Sequence, residues 1–141
     1  MFIIDNDYKI VCGEDYLEVL SQSDADNRKK AEKIAMEEVA GYLRARYDVE
    51  KAFSADDDKR NAMLVQVTVN IALYYMVHSM PQGMGLDGYK ELYDDAITWL
   101  TRVQKGAVQP DLPLYINEDG SESSTSSPFR FGSMKKNRYD Y

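Results

Sequence analysis

The stretch Arg28–Tyr47, RKKAEKIAMEEVAGYLRARY, decides how the chain is read. Its apolar residues fall at Ala31, Ile34, Ala35, Val39, Tyr42, Leu43 and Tyr47. Steps of three, one and four place them on one stripe of a 3.6-residue period, the mark of an amphipathic helix. Lys29, Lys33, Glu37 and Arg44 take the opposite side. Gly41 lies inside the pattern, where glycine costs about 1 kcal/mol relative to alanine. Its presence predicts that another backbone or ring packs close to it. The stretch ends in Tyr42-Leu43-Arg44-Ala45-Arg46-Tyr47, tyrosine interleaved with arginine.

Outward from this helix, the most apolar segment is Met63–Met80, interrupted by Gln66, Asn70 and His78. The helix that holds it is expected from Arg60 to Ser79, with Ser54 and Asp56-Asp57-Asp58 as its start signal. Apolar residues lie all round it, which predicts burial on several sides. Its valines are stiff in a helix and admit a buried strand as the competing reading, but the run is too long for an ordinary strand. A further helix is expected from Gly88 to Lys105, capped by Asp87, with a stripe at Tyr89, Leu92, Tyr93, Ala96, Ile97, Leu100 and Val103. Trp99 lies off that stripe, toward a second surface. Gly106 supplies a left-handed stop, and Pro110 and Pro113 follow.

Towards the amino end, Asp5 or Asp7 is read as the cap of a single turn through Tyr8–Val11. Glu14–Leu20 forms a second short helix with Tyr16, Leu17 and Leu20 inward. Asp48–Asp58 is read as a loop anchored by Phe53. After Gly106, Leu112–Ile116 reads as a short strand or extended arm. Asn117–Ser127 reads as a serine-rich flexible linker, and the aromatic residues return in 128–141. The fold class is therefore all-α: a compact bundle of four to five helices over 1–108, an extended linker over 109–127 and an aromatic, basic arm over 128–141.

The chain has 141 residues, one cysteine and a formal charge of −7. One cysteine excludes an internal disulfide. The amino end carries no basic-then-apolar signal sequence, and Met63–Met80 reads as a buried helix rather than a membrane span. From Phe129 onward Arg130, Lys135, Lys136 and Arg138 face Asp140 alone, so the body is more acidic than the total. An acidic body binds phosphate backbones poorly.

No residue pattern supports catalysis. His78 is the sole histidine and pairs with no serine or cysteine motif, so it reads as a structural histidine on a buried helix; Cys12 reads as packing. Asp5-Asn6-Asp7 opens like a calcium loop, but Lys9 and Ile10 occupy ligand and glycine positions. Asp56–Asp58 reads as helix capping and a solvated charge run, and Gly83-Met84-Gly85 as a turn. No cofactor and no metal are expected. Arg44 and Arg46 have two readings: complements to the negative end of their helix, or contacts to an acidic neighbouring subunit. In the tail, Phe129, Arg130, Phe131, Arg138, Tyr139 and Tyr141 read either as plain disorder or as aromatic anchors with cationic clamps for a partner.

One ordered set of segments carries a family resemblance: Gly13-Glu14-Asp15, the helix ending Gly41–Tyr47, the buried Asn70-Ile71-Ala72-Leu73-Tyr74-Tyr75, Tyr89–Ile97, and Lys105-Gly106. Over Ile3–Val108 this order resembles the small head–tail connector, or adaptor, proteins of tailed phages and prophages, in their Mu-like branch. Asp48–Asp58 departs from the family by lacking the proline-rich sequence common there after Arg-Tyr.

The resemblance implies a helical bundle without enzymatic activity, located at the virion neck and, during assembly, in the host cytoplasm. It implies a ring, commonly a dodecamer, bound to the portal protein and to a tail-side stopper or completion protein. DNA would pass through the channel without specific binding, and no membrane is involved. A ring needs two complementary faces per subunit. The apolar sides of Arg60–Ser79 and the off-stripe Trp99 are compatible with that. The rival readings are a small helical regulatory interaction module and a helical enzyme subunit.

Overall fold

A computed structural model describes residues 2–22, 25–80, 86–117 and 120. Among them the chain is all-α: α1 Asp5–Tyr8, α2 Glu14–Gln22, α3 Ala25–Leu43, α4 Val49–Phe53, a single 3-10 turn at Asp57–Lys59, α5 Ala62–His78 and α6 Leu86–Lys105. Four helices are long enough to carry a face, and α1 and α4 are single turns.

α5 is the axis of the bundle. Leu64, Val67, Val69, Ile71, Ala72, Leu73, Met76 and Val77 are all buried, so no side of its middle turns faces water. α3 and α6 pack along it and α1 closes its first turns. The expectation that the apolar sides of this helix await a neighbouring subunit is therefore corrected: the chain's own helices cover them. Trp99 likewise lies half-buried against this core. Two polar residues buried on α5 are satisfied locally. Thr68 Oγ1 donates to the Leu64 carbonyl at 2.7 Å, and Asn70 Oδ1 accepts from Gln66 Nε2 at 2.9 Å.

The ends of α5 differ from expectation. Asn61, not the acidic run, is its N-cap, and its side chain accepts from the Leu64 N–H at 3.0 Å. Asp57–Lys59 form the 3-10 turn instead, with Asp57 at φ +41°. Two residues, Arg60 and Asn61, then separate Lys59 from Ala62, the first residue of α5. His78 is exposed rather than buried, stacked on Tyr74 with centroids 5.7 Å apart. The cause is its place in the last turn, where α5 emerges from the bundle.

On α3 the stripe Ala31, Ala35, Val39 and Leu43 is buried, but Ile34 stays 48% exposed. Ile34 lies at the edge of the stripe, and α5 covers a narrower arc than the sequence pattern. No atom outside the helix's own backbone lies within 4 Å of a Cβ built on Gly41, so the expected close neighbour is absent. Asp48–Asp58 is not a plain loop. Asp48 caps α4 by accepting from the Lys51 N–H at 3.0 Å, and Phe53 meets Phe2 edge-on at 4.8 Å. The first helical turn falls at Asp5–Tyr8, earlier than expected, because Asp7 reaches back to accept from the Ile4 N–H at 2.8 Å.

α6 ends as expected. Gly106 is left-handed at φ +77°. Its N–H donates to Val103 O at 3.0 Å, and the Ala107 N–H donates to Arg102 O at 2.9 Å. These paired bonds satisfy the last carbonyls of the helix. The following segment is the extended arm: Leu114 bridges Tyr47 antiparallel. The Asp48 N–H donates to Pro113 O, and the Tyr115 N–H to Arg46 O, both at 2.8 Å.

A buried charge fastens α3 to the amino end. Glu32 is 2% exposed. It accepts from Tyr8 Oη at 2.7 Å and from Arg28 Nε at 2.9 Å. Arg28 also reaches Asp5 at 2.6 Å and lies 4.9 Å from the centre of the Tyr8 ring. Removing the carboxylate leaves a buried hydroxyl unpaired and a guanidinium half-satisfied. Glu32→Ala is expected to lower unfolding free energy by about 3 kcal/mol, and Tyr8→Phe by about 1 kcal/mol. Urea denaturation followed by circular dichroism checks both values and their order.

Candidate functional site

The residues singled out for interaction fall into two groups. Phe129, Arg130, Phe131, Arg138, Tyr139 and Tyr141 lie outside the described residues. Arg44, Arg46 and Trp99 lie within them. Arg44 is exposed and pairs with Glu37 of its own helix at 3.0 and 3.2 Å. Arg46 donates from Nη1 to Val103 O at 3.2 Å. It therefore supports the carbonyl end of α6, not that of the helix preceding it, where a cation offsets the negative dipole end. The extended arm pairs alongside Arg46, with Tyr115 49% and Ile116 60% exposed.

Missing from the sequence reading is a second carboxylate hub. Glu38 on α3 accepts from Tyr75 Oη at 2.8 Å and from Tyr93 Oη at 2.5 Å, joining α3, α5 and α6 at one point. Tyr74 stacks on Tyr93 with centroids 4.3 Å apart, and on the exposed His78. A half-buried wall of rings results. Burial first, and the Glu38 carboxylate second, push both hydroxyls up from the ordinary tyrosine value. Burial and then the Glu32 hydrogen bond do the same to Tyr8. On α2, Tyr16 stacks parallel to Tyr89 at 5.8 Å. Burial, with Cys12 and Tyr16 adding to it, holds Tyr89 up at about 12.

The carboxylates of the Asp5-Asn6-Asp7 run are occupied by guanidinium. Asp5 pairs with Arg28 at 2.6 Å, and Asp7 takes two prongs of Arg60 at 2.6 and 3.2 Å. Arg60 also donates to Phe2 O at 2.8 Å. Among the described residues no cluster of three His, Cys, Asp or Glu is placed to hold a metal. Cys12 is buried, and burial raises its pKa despite the opposing pull of Arg28, which keeps the thiol protonated and unreactive. No helix among the described residues is long and apolar enough to cross a membrane.

Among the described residues the surface carries several open grooves, three of them beside charged side chains. One, of about 330 Å³, lies between α4 and the start of the arm, with Lys51, Lys59, Asn61 and Pro113 on its walls. A second, of about 340 Å³, runs between α1 and α2 beside Asp5, Lys9, Glu14 and Arg28. The third, of about 220 Å³, lies between the end of α1 and the start of α5. Ile10, Ala62 and Val65 form its apolar part, and Asp57 and Asp58 its rim beside the Asp7–Arg60 pair. Ile10 is 82% exposed. Together the described residues present rings, fixed charges and exposed aliphatics, the chemistry of side-chain contacts.

A protein-family model described as Bacteriophage Mu, Gp36 matches residues 6–128. No curated protein and no solved structure matches the chain. The match spans the helices, the arm and the serine-rich segment, and it stops short of Phe129.

The raised tyrosines fix the sign of an alkaline response. An unfolded tyrosine ionises near 10, whereas Tyr8, Tyr75 and Tyr93 stay protonated above that in the fold. The stability they contribute is complete below pH 10 and is lost as pH rises above it. The urea midpoint is expected to hold steady to about pH 9 and to fall steadily above about pH 10, with tyrosinate absorbance appearing together with unfolding. Tyr93→Phe should flatten part of that fall; an unchanged slope would contradict the assignment.

Proposed function

The chain belongs to the bacteriophage Mu Gp36 family, and on that premise we propose that this phage protein is a non-enzymatic structural component of the virion. In this reading it is a head–tail adaptor that forms a ring between the portal and a tail-side stopper or completion protein. The observation that carries the reading is the family match over 6–128, together with the order of segments that resembles connector proteins.

The geometry supports it in three ways. The core closes within one chain, so the protomer can wait folded until it meets its partners. Exposed aliphatic and aromatic side chains remain at Ile10 and Ile34 on the bundle and at Tyr115 and Ile116 on the arm. They are candidates for the two unlike faces of a ring. The acidic body suits a channel that passes DNA without holding it, because like charge repels phosphates. Arg44 is the charged side chain best placed to leave its Glu37 partner for an acidic neighbour, since both are exposed and such pairs hold weakly.

The second reading, a small regulatory interaction module, is favoured by the self-sealed core alone. Particle mass by light scattering and electron microscopy of the full chain mixed with the portal protein of the same phage separate the two. Rings stacked on the portal are expected. A monomer or dimer that ignores the portal would favour the regulatory module.

The arm from Pro128 to Tyr141 is expected to hold the portal or a neighbouring copy. Deleting 128–141 should leave the helical circular dichroism and urea midpoint unchanged, yet weaken portal retention at least about thirtyfold. Equal retention by the truncated chain would remove the arm from this function.

A further inference from the structure

We propose that the groove between the end of α1 and the start of α5 is the receptor for the basic, aromatic segment 129–141 of a neighbouring copy of this chain. The inference deepens the ring reading and rests on it for the supply of a neighbour.

The groove is built for a cation beside an apolar group. Ile10, Ala62 and Val65 form its apolar lining, and Ile10 is 82% exposed. Its rim holds Asp57 and Asp58, both exposed. The one cation of the lining, Arg60, is committed to Asp7 by two hydrogen bonds and to Phe2 O by a third. Three carboxylates therefore face one guanidinium, and the rim stays negative. At about 220 Å³ the space lies below the usual 300–1,000 Å³ of a small-molecule pocket. It suits a single side-chain anchor with a charged flank.

Segment 129–141 supplies the complement. Phe129-Arg130-Phe131 places a guanidinium between two rings, and Lys135, Lys136 and Arg138 add charge of the same sign. In an extended bound segment, residues one and three share a face and the second points away. One phenylalanine would cover Ile10 and its apolar neighbours while Arg130 turns to the Asp57 and Asp58 rim.

The path of the chain points to a neighbour. Asn61 Nδ2 donates to Asp111 O at 3.2 Å, so the extended segment begins at the adjoining groove beside α4. It then runs away to pair at Tyr47 and Arg46. Eleven residues separate Asn117 from Phe129, a reach of about 40 Å at full extension. That is about one diameter of a domain this size. It is long enough to reach a copy seated alongside.

The test uses the full chain with a photo-reactive benzoylphenylalanine in place of Ile10, a position outside the core. Isotopically heavy and light copies are mixed and irradiated, alone at high concentration and with the portal protein. Mass spectrometry is expected to find heavy–light pairs joining residue 10 to peptides within 129–141. Asp57→Asn with Asp58→Asn should lower that yield at least about fivefold through loss of charge pairing; asparagine tolerates the left-handed backbone at 57. Asp58→Lys and Arg130→Glu should each lower it, and the two combined should restore it. Cross-links confined to one copy, cross-links to other segments, or no response to charge reversal would overturn the proposal. Portal-bound rings without this cross-link would end the groove and spare the ring. The cross-link without rings would uphold the groove and end the ring.

Discussion

α5 has no polar face to turn toward water. Each of its buried Leu, Val, Ile and Met side chains is worth about 1.5–3 kcal/mol when removed from solvent, and they point in every direction around the axis. Such a helix is stable only when wrapped. That requirement makes α3 and α6 amphipathic along their length, brings α1 against its first turns, and leaves the outer faces of α3 and α6 charged. The rest of the architecture is the cheapest way for a chain of this length to enclose one apolar rod.

Apolar wrapping is non-directional and does not by itself choose which turn meets which. The carboxylates do. Glu32 ties α3 to Tyr8 through a fully buried hydroxyl, Glu38 ties α3 to α5 and α6 through Tyr75 and Tyr93, and Asp7 ties the amino end to Arg60. A shift of α3 by one turn would break the first two together and strand charges away from water, at a cost of several kcal/mol. These ties also fix what the surface offers. By holding α1 against the start of α5, the Asp7–Arg60 pair shapes the acid-rimmed groove that Ile10 lines.

The division of labour fits the proposed role, in which the partners would be other proteins. The protomer hides its core without help, so its exposed residues are free to be specific rather than merely greasy. Arg46 illustrates the point: it resembles an interface arginine by sequence, but it is employed inside the fold at the end of α6. Arg44, two residues earlier, remains outside.

Periodicity was enough to establish the long helices, because the 3.6-residue pattern is a local property. It placed α3 and α6 within a few residues, made α5 central, and marked the stop at Gly106. Arg28 and Glu32 even stand four apart on the line that continues through Ala35 and Val39, so a charge inside the buried arc was visible there. The partners were not, since Tyr8 is 24 positions from Glu32, and Tyr75 and Tyr93 are 37 and 55 from Glu38. Nor could local pattern tell that Gly41 meets open space, that His78 emerges from the bundle, or that Asn61 rather than the acidic run caps α5. Each of these depends on which segment arrives from far along the chain, and hydrogen bonds and contact surfaces form only where the packing brings their two halves together.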